Sequence, residues 1–176
     1  MRHMPAIGNT LRPACCSIAA LSAFILLSFP LSGADIPTAP YDSSRTSWNN
    51  SEAHLTSANV NPSGFGKLFV RNLDGWVYAQ PLYLQNLAIP DHGTPNVVFV
   101  CTANNTVYAF DADNPAIAAP YWSTNLGAPD TTASTSTSPN SEPSLGIIST
   151  PVIVRSSSTL YVAFRLVRCA LTMLRT

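Results

Sequence analysis

The chain has 176 residues, no net formal charge and only 10% charged residues, with Ser, Thr, Asn and Pro supplying its polarity. A cytosolic helical enzyme carries roughly a quarter charged residues, so this balance fits an exported all-β protein instead. From Asp35 to Thr150 there are nine acidic residues against three basic ones, Arg45, Lys67 and Arg71. Nucleic acid needs clustered Lys and Arg, so it is excluded as a partner.

Residues 1–34 read as a signal peptide. Arg2, His3 and Arg12 form a basic start, "ACCSIAALSAFILLSFPL" is an uncharged apolar run, and "SGA" ends in small residues at Ala34. That order is what a signal peptidase reads, and cleavage after Ala34 is expected. An uncleaved anchor is the alternative, because about 18 apolar residues approach the shortest membrane span. A membrane is therefore a partner only if the segment stays attached. The expected location is secreted or periplasmic, an oxidising compartment. Cys15 and Cys16 precede the apolar run and make no lipobox.

Residues 35–66 form an N-terminal extended segment, and a hydrophobic period of two begins after it. "KLFVRNL" (Lys67 to Leu73), "WVYAQPLYL" (Trp76 to Leu84), "NVVFVCT" (Asn96 to Thr102), "TVYAFD" (Thr106 to Asp111) and "PYWSTNL" (Pro120 to Leu126) are rich in Val, Tyr, Phe and Trp. Each is bounded by Asp, Gly, Asn or Pro, which predicts strands. Asp74-Gly75 is the expected hairpin turn between the first two, and Ala103-Asn104-Asn105 between the third and fourth. No capped amphipathic helix is expected after residue 34.

An internal repeat runs through residues 67–164. "AQPLYL" (Ala79 to Leu84) returns as "STPVIV" (Ser149 to Val154), and "NVVFVCT" returns as "TLYVAF" (Thr159 to Phe164). Both copies place Pro at the head of a strand, where no ladder donor is required. Between them lies the Ser/Thr/Pro-rich loop 127–146.

The order of apolar strand, Asn-rich turn, "VYAFDAD" and a later Trp resembles the β-propeller repeat of the pyrroloquinoline-quinone (quinoprotein) dehydrogenase-like superfamily. That repeat has Ala-x-Asp followed by Trp, and Ala109, Asp111 and Trp122 match those positions. "YDSSRTSWNNSE" and "FGKLFVRNLDGWVYAQPLY" also look like the N-terminal entry of secreted PQQ-like propeller proteins. The likeness covers about Tyr41 to Phe164. It implies that the Trp docks between blades and that the Asp fixes a turn. The family's Thr-Gly-Lys after the Asp is replaced by "NPAIAAPY". The fold class expected is all-β, an incomplete β-propeller with an entry strand, about one blade and the start of a second.

The chemical motifs fail on their residues. Asp111, Asp113 and Asn114 offer oxygens, yet an EF-hand needs Gly and Glu where this chain has Ala116 and Trp122. "GFGKL" (Gly64 to Leu68) lacks the leading Gly, with Asn61 there, and has Leu68 after the Lys. His54 and His92 have no acidic or Cys neighbour at ligand spacing. Asn49 and Asn104 fit glycosylation sequons, which matter only in a eukaryotic secretory pathway. No catalytic residue, cofactor-binding residue or metal ligand is expected from this chain.

Cys101 lies in a strand pattern where a buried free thiol is the commoner state, and a Cys101–Cys169 bridge is the alternative. From Pro151 onward there are four Arg and no acid, and "RLVRCALTMLRT" replaces an expected Gly/Asp turn. Residues 165–176 therefore read as an aberrant tail, the scar of a truncation or frameshift, or else a short amphipathic helix. Three functions remain open: a non-catalytic binding or structural propeller module, a truncated piece of a quinoprotein dehydrogenase, or a gene remnant. Partners other than those excluded are unspecified.

Overall fold

Alternating apolar residues on short segments need a second layer to cover them, and this chain supplies two sheets. The computed structural model describes residues 33–50, 52, 55–131 and 145–164, and the backbone of 167–172. Residues 1–32 of the expected signal peptide and residues 132–144 of the Ser/Thr/Pro loop lie outside the described residues, as does His54.

The first sheet is an antiparallel meander of β1 (Leu82–Leu84), β2 (Val97–Cys101), β3 (Thr106–Asp111) and β4 (Trp122–Asn125). The second is a three-stranded meander of β5 (Val152–Val154), β6 (Thr159–Phe164) and β7 (Val167–Thr172). Among the described residues the only helical turn is a 3₁₀ turn at Arg155–Ser157. The all-β class therefore holds.

Register fixes which side chains meet. Leu82 pairs with Phe99, Leu84 with Val97, Phe99 with Ala109, and Ala109 with Trp122, so these residues share one face. That front face joins Ile147, Ile153, Leu160 and Val162 in one buried cluster. The front of the first sheet thus packs against the side of the second that carries Ile153, Leu160 and Val162. Full burial of a Leu or Phe side chain stabilises by roughly 1.5–3 kcal/mol, which makes this inter-sheet layer the main source of cohesion.

An N-terminal strap ties the two sheets together. Ile36 exchanges both backbone hydrogen bonds with Tyr83 of β1, at 2.8 and 3.1 Å. One residue on, the Pro37 carbonyl accepts the Ile153 amide of β5 at 2.8 Å.

Three expectations are corrected. Lys67 to Leu73 forms no strand and joins no ladder, and of Trp76 to Leu84 only Leu82–Leu84 is strand. Asp74-Gly75 consequently turns no hairpin. Arg71 donates to the Asn114 carbonyl at 2.8 Å, while Asp74 accepts from the Thr102 and Thr106 hydroxyls. Those two anchors stretch the segment along β3, on the side bearing Tyr108 and Phe110, and occupy it with side-chain bonds instead of a partner strand. Third, the chain does not leave the fold at residue 165. Val167–Thr172 returns antiparallel to β6, with Val167 opposite Phe164, Cys169 opposite Val162 and Leu171 opposite Leu160. The helix alternative gives way because V-R-C-A-L-T has period two and β6 offers a free edge.

Candidate functional site

Two polar knots flank β3, and both grow from short side chains that bond their own backbone. At its C-terminal end, Asp111 is almost fully buried. Its Oδ1 accepts the backbone N–H groups of Asp113 at 2.8 Å and Asn114 at 2.7 Å, and its Oδ2 accepts the Tyr121 hydroxyl. An aspartate bonding the amides two and three residues on closes a turn. Asp113 in turn accepts from Asn96 Nδ2 at 2.7 Å, and Asn114 Oδ1 accepts the Ala116 amide at 3.0 Å.

Electrostatics agree with that geometry. Burial alone would raise the Asp111 pKa. The Tyr121 hydroxyl, the two amides and the Arg71 charge outweigh it and hold the carboxyl below its ordinary value. The Tyr121 phenol moves upward, through burial and then through its bond to Asp111. Tyr121 also lies 4.8 Å from the His92 ring, which places that exposed loop histidine against an aromatic face.

Ala109, Asp111 and Trp122 come together on the front face. Ala109 is fully buried opposite Trp122, and the Trp ring tilts against Phe99 with centroids 6.0 Å apart. A small residue across from a large one leaves room for the ring to lie over the sheet. Trp122 is half-buried and rests on the inter-sheet cluster.

The second knot closes the other end of β3, and sequence reading missed its centre. Asp74 Oδ1 accepts from Thr102 at 2.8 Å and Oδ2 from Thr106 at 2.5 Å. Asn104 Nδ2 donates to the Asp74 carbonyl at 2.5 Å, and the Ala103 amide donates to the Trp76 carbonyl at 2.8 Å. Asn105 sits at φ +61° and sends Nδ2 to the Gly127 and Ala128 carbonyls. The Asn turn was legible from its residues. Its engagement by Asp74, about 30 positions upstream, has no local signal.

Cys101 is a free, buried thiol on the front face, and burial pushes its pKa up to about 12. A thiol that far from ionisation is an unreactive core residue. Among the described residues no three His, Cys, Asp or Glu side chains converge as a ligand set. Both Asp111 oxygens already serve internal donors, so these residues do not fit a quinone with its divalent cation. An open, mostly apolar pocket of about 280 Å³ is lined by Leu145, Gly146, Ile148, Ser149, Ala163 and Phe164.

Comparison with protein-family models, curated protein sequences and solved structures gives no match.

Proposed function

We propose that this chain is a secreted, PQQ-like β-propeller repeat module that serves binding or structure and performs no catalysis. One observation carries the reading. The two sheets repeat each other and stack front to back. Leu82 and Leu84 correspond to Val152 and Val154 in the sequence repeat. Since Leu82 pairs with Phe99 and Val152 with Tyr161, the registers then match Phe99 to Tyr161 and Cys101 to Ala163. The face of the second sheet that meets the first, Ile153, Leu160 and Val162, matches Tyr83, Val98 and Val100 on the back of the first. Repetition with front-to-back contact is how blades or solenoid units build a continuous core.

The polar knots support a structural role, because their Asp, Asn and Thr groups are consumed in shaping turns. Export is part of the proposal and rests on the leader-like residues 1–34. N-terminal sequencing of exported protein should begin at Asp35, and an intact Met1 in a membrane fraction would remove that part.

Calorimetric titration of the exported chain with pyrroloquinoline quinone and Ca²⁺ separates this reading from the quinoprotein dehydrogenase one. No stoichiometric heat is expected. Micromolar one-to-one binding would transfer the chain to the dehydrogenase reading. A chain that unfolds without cooperativity would remove the module reading altogether, because a repeat unit must hold its inter-sheet layer.

A further inference from the structure

Front-to-back stacking leaves the front of the second sheet open, while on the back of the first sheet Tyr83, Val98 and Val100 are partly buried. On the second sheet the open face is the front one, and its Val152, Val154 and Tyr161 are 44%, 38% and 48% exposed. Their matches in the first sheet, Leu82, Leu84 and Phe99, are 0%, 0% and 1% exposed. The same positions are therefore core in one sheet and surface in the other.

What covers the first front face says what fits the second. Within the chain, Ile147 is fully buried in the inter-sheet cluster with Cys101, and its neighbour Gly146 presses on the Ala103 carbonyl and on Asn105. The sequence repeat matches Ile147 to Val77, which is 39% exposed. It matches Cys101 to Ala163, which lines the open apolar pocket with Ile148 and Phe164. The chain thus carries an apolar knob without a seat and, on its other sheet, a seat without a knob.

We infer that the front face of the second sheet docks a second copy of this chain head to tail, with Val77 of the incoming copy entering the pocket beside Ala163. The back of the incoming first sheet, Tyr83, Val98 and Val100, then covers Val152, Val154 and Tyr161 as Ile153, Leu160 and Val162 cover the first front face. This inference rests on the repeat reading. The interface is heterologous, so copies add in sequence and close into a ring only if the rotation per copy allows it. The facing residues named are aliphatic or aromatic, so the contact is mainly an apolar one.

Sedimentation velocity on the full chain, expressed with residues 1–34 so that any processing has occurred, tests this. The wild type should associate with rising concentration. Val77→Asp and Tyr161→Asp should each weaken association about tenfold or more, as centrally placed interface changes do. Ile117→Asp, at an exposed apolar position elsewhere, should not. Each single variant keeps one good face, so mixing Val77→Asp with Tyr161→Asp should restore a one-to-one complex. If either Asp variant loses its fold, a Val77→Cys copy oxidised with an Ala163→Cys copy should give a disulfide-linked heterodimer absent from wild type. A wild type that unfolds cooperatively yet stays monomeric at its highest soluble concentration overturns the docking and leaves the repeat reading standing. Monomeric variants whose mixture stays monomeric overturn the head-to-tail geometry. A chain with no cooperative unfolding overturns both.

Discussion

The two sheets are built on one pattern and end in opposite conditions. Both begin with Pro before a three-residue strand, both turn back antiparallel, and both place an aromatic residue, Phe99 or Tyr161, opposite the first strand residue. Phe99 is buried under a second layer, whereas Tyr161 is half open to solvent. The difference lies outside the strands. The first sheet is succeeded by a segment that returns Ile147 and a second sheet over it, and no such layer covers the second among the described residues. Pattern determines which side chains share a face, and only the rest of the chain, or another chain, determines whether that face is core.

The sharpest break of this comparison is to truncate the matched aromatics. Phe99→Ala should cost about 3–5 kcal/mol, the range for an aromatic removed from a packed core. Tyr161→Ala, measured at concentrations where the chain is monomeric, should stay within about 0.5 kcal/mol, as surface substitutions do. Urea unfolding monitored by circular dichroism reads both. Equal costs would mean that the second front face is covered in the monomer, and the contrast between the sheets would vanish.

A glycine contrast sharpens it next. A Cβ on Gly146 would collide with both the Ala103 carbonyl oxygen and Asn105 Oδ1, so the segment delivering Ile147 can approach the Asn turn only without a side chain. Gly146→Ala should cost about 1–3 kcal/mol through overpacking. Gly66, with nothing within 4 Å of its Cβ position, should accept Ala with a small gain from a stiffer unfolded chain. Thermal unfolding of the two variants side by side decides it. An unmoved midpoint for Gly146→Ala would show that the turn can shift to make room.

The strands that sequence made legible are those with a bonded strand along at least one edge. Residues 96–102 and 106–111 are rich in Val, Phe and Tyr and flank an Asn turn, and they form β2 and β3 almost to their expected ends. Lys67 to Leu73 carries a similar pattern, yet Arg71 reaches the Asn114 carbonyl and the following Asp74 the Thr102 and Thr106 hydroxyls, groups roughly 30 to 45 positions away in sequence. Alternation shows that a segment is extended and does not show whether an edge is waiting for it. The reverse error occurred at β7, where four arginines after Pro151 masked the period-two pattern from Val167 to Thr172. At the knots, the Asp111 turn was readable because its acceptor and donors are two and three residues apart. The Tyr121 hydroxyl and the Asp74 contacts were not, since they depend on the register of β3 with its neighbours.

Acid titration tests the Asp111 knot that closes the first sheet, a device absent from the second among the described residues. Its folded pKa lies below the ordinary 3.8, so its stabilisation is fully present above that value. It fades as pH falls through the lower folded value, because only the ionised carboxylate accepts all three bonds. Asp111→Asn should cost about 1–2 kcal/mol at neutral pH, where charge-assisted bonds are lost. The same variant should flatten the acid limb of the stability curve below the ordinary value. An acid limb unchanged in Asp111→Asn would assign it to other carboxyls.

The smallest effect tests the strap that links the sheets. Asp35 Oδ2 accepts from Arg155 Nη1 at 2.7 Å, with side chains 29% and 44% exposed, and Arg155 Nη2 reaches the Asn86 carbonyl at 3.2 Å. Asp35 Oδ1 also accepts the Gln85 amide at 2.9 Å. The pair therefore joins the N-terminal strap, the loop after β1 and the end of β5, three parts that must meet for the sheets to stack. Both partners remain in water, however, so attraction is offset by retained hydration and lost side-chain freedom. A double-mutant cycle with Asp35→Asn and Arg155→Gln should give a coupling of only about 0.2–1 kcal/mol. Raising ionic strength to about 1 M, where the screening length shrinks to roughly 3 Å, should remove most of it. A coupling well above that range and insensitive to salt would mean that the strap end is desolvated in solution. The strap would then rank with the apolar layer in holding the sheets together, and the contrast between the sheets would have to include it.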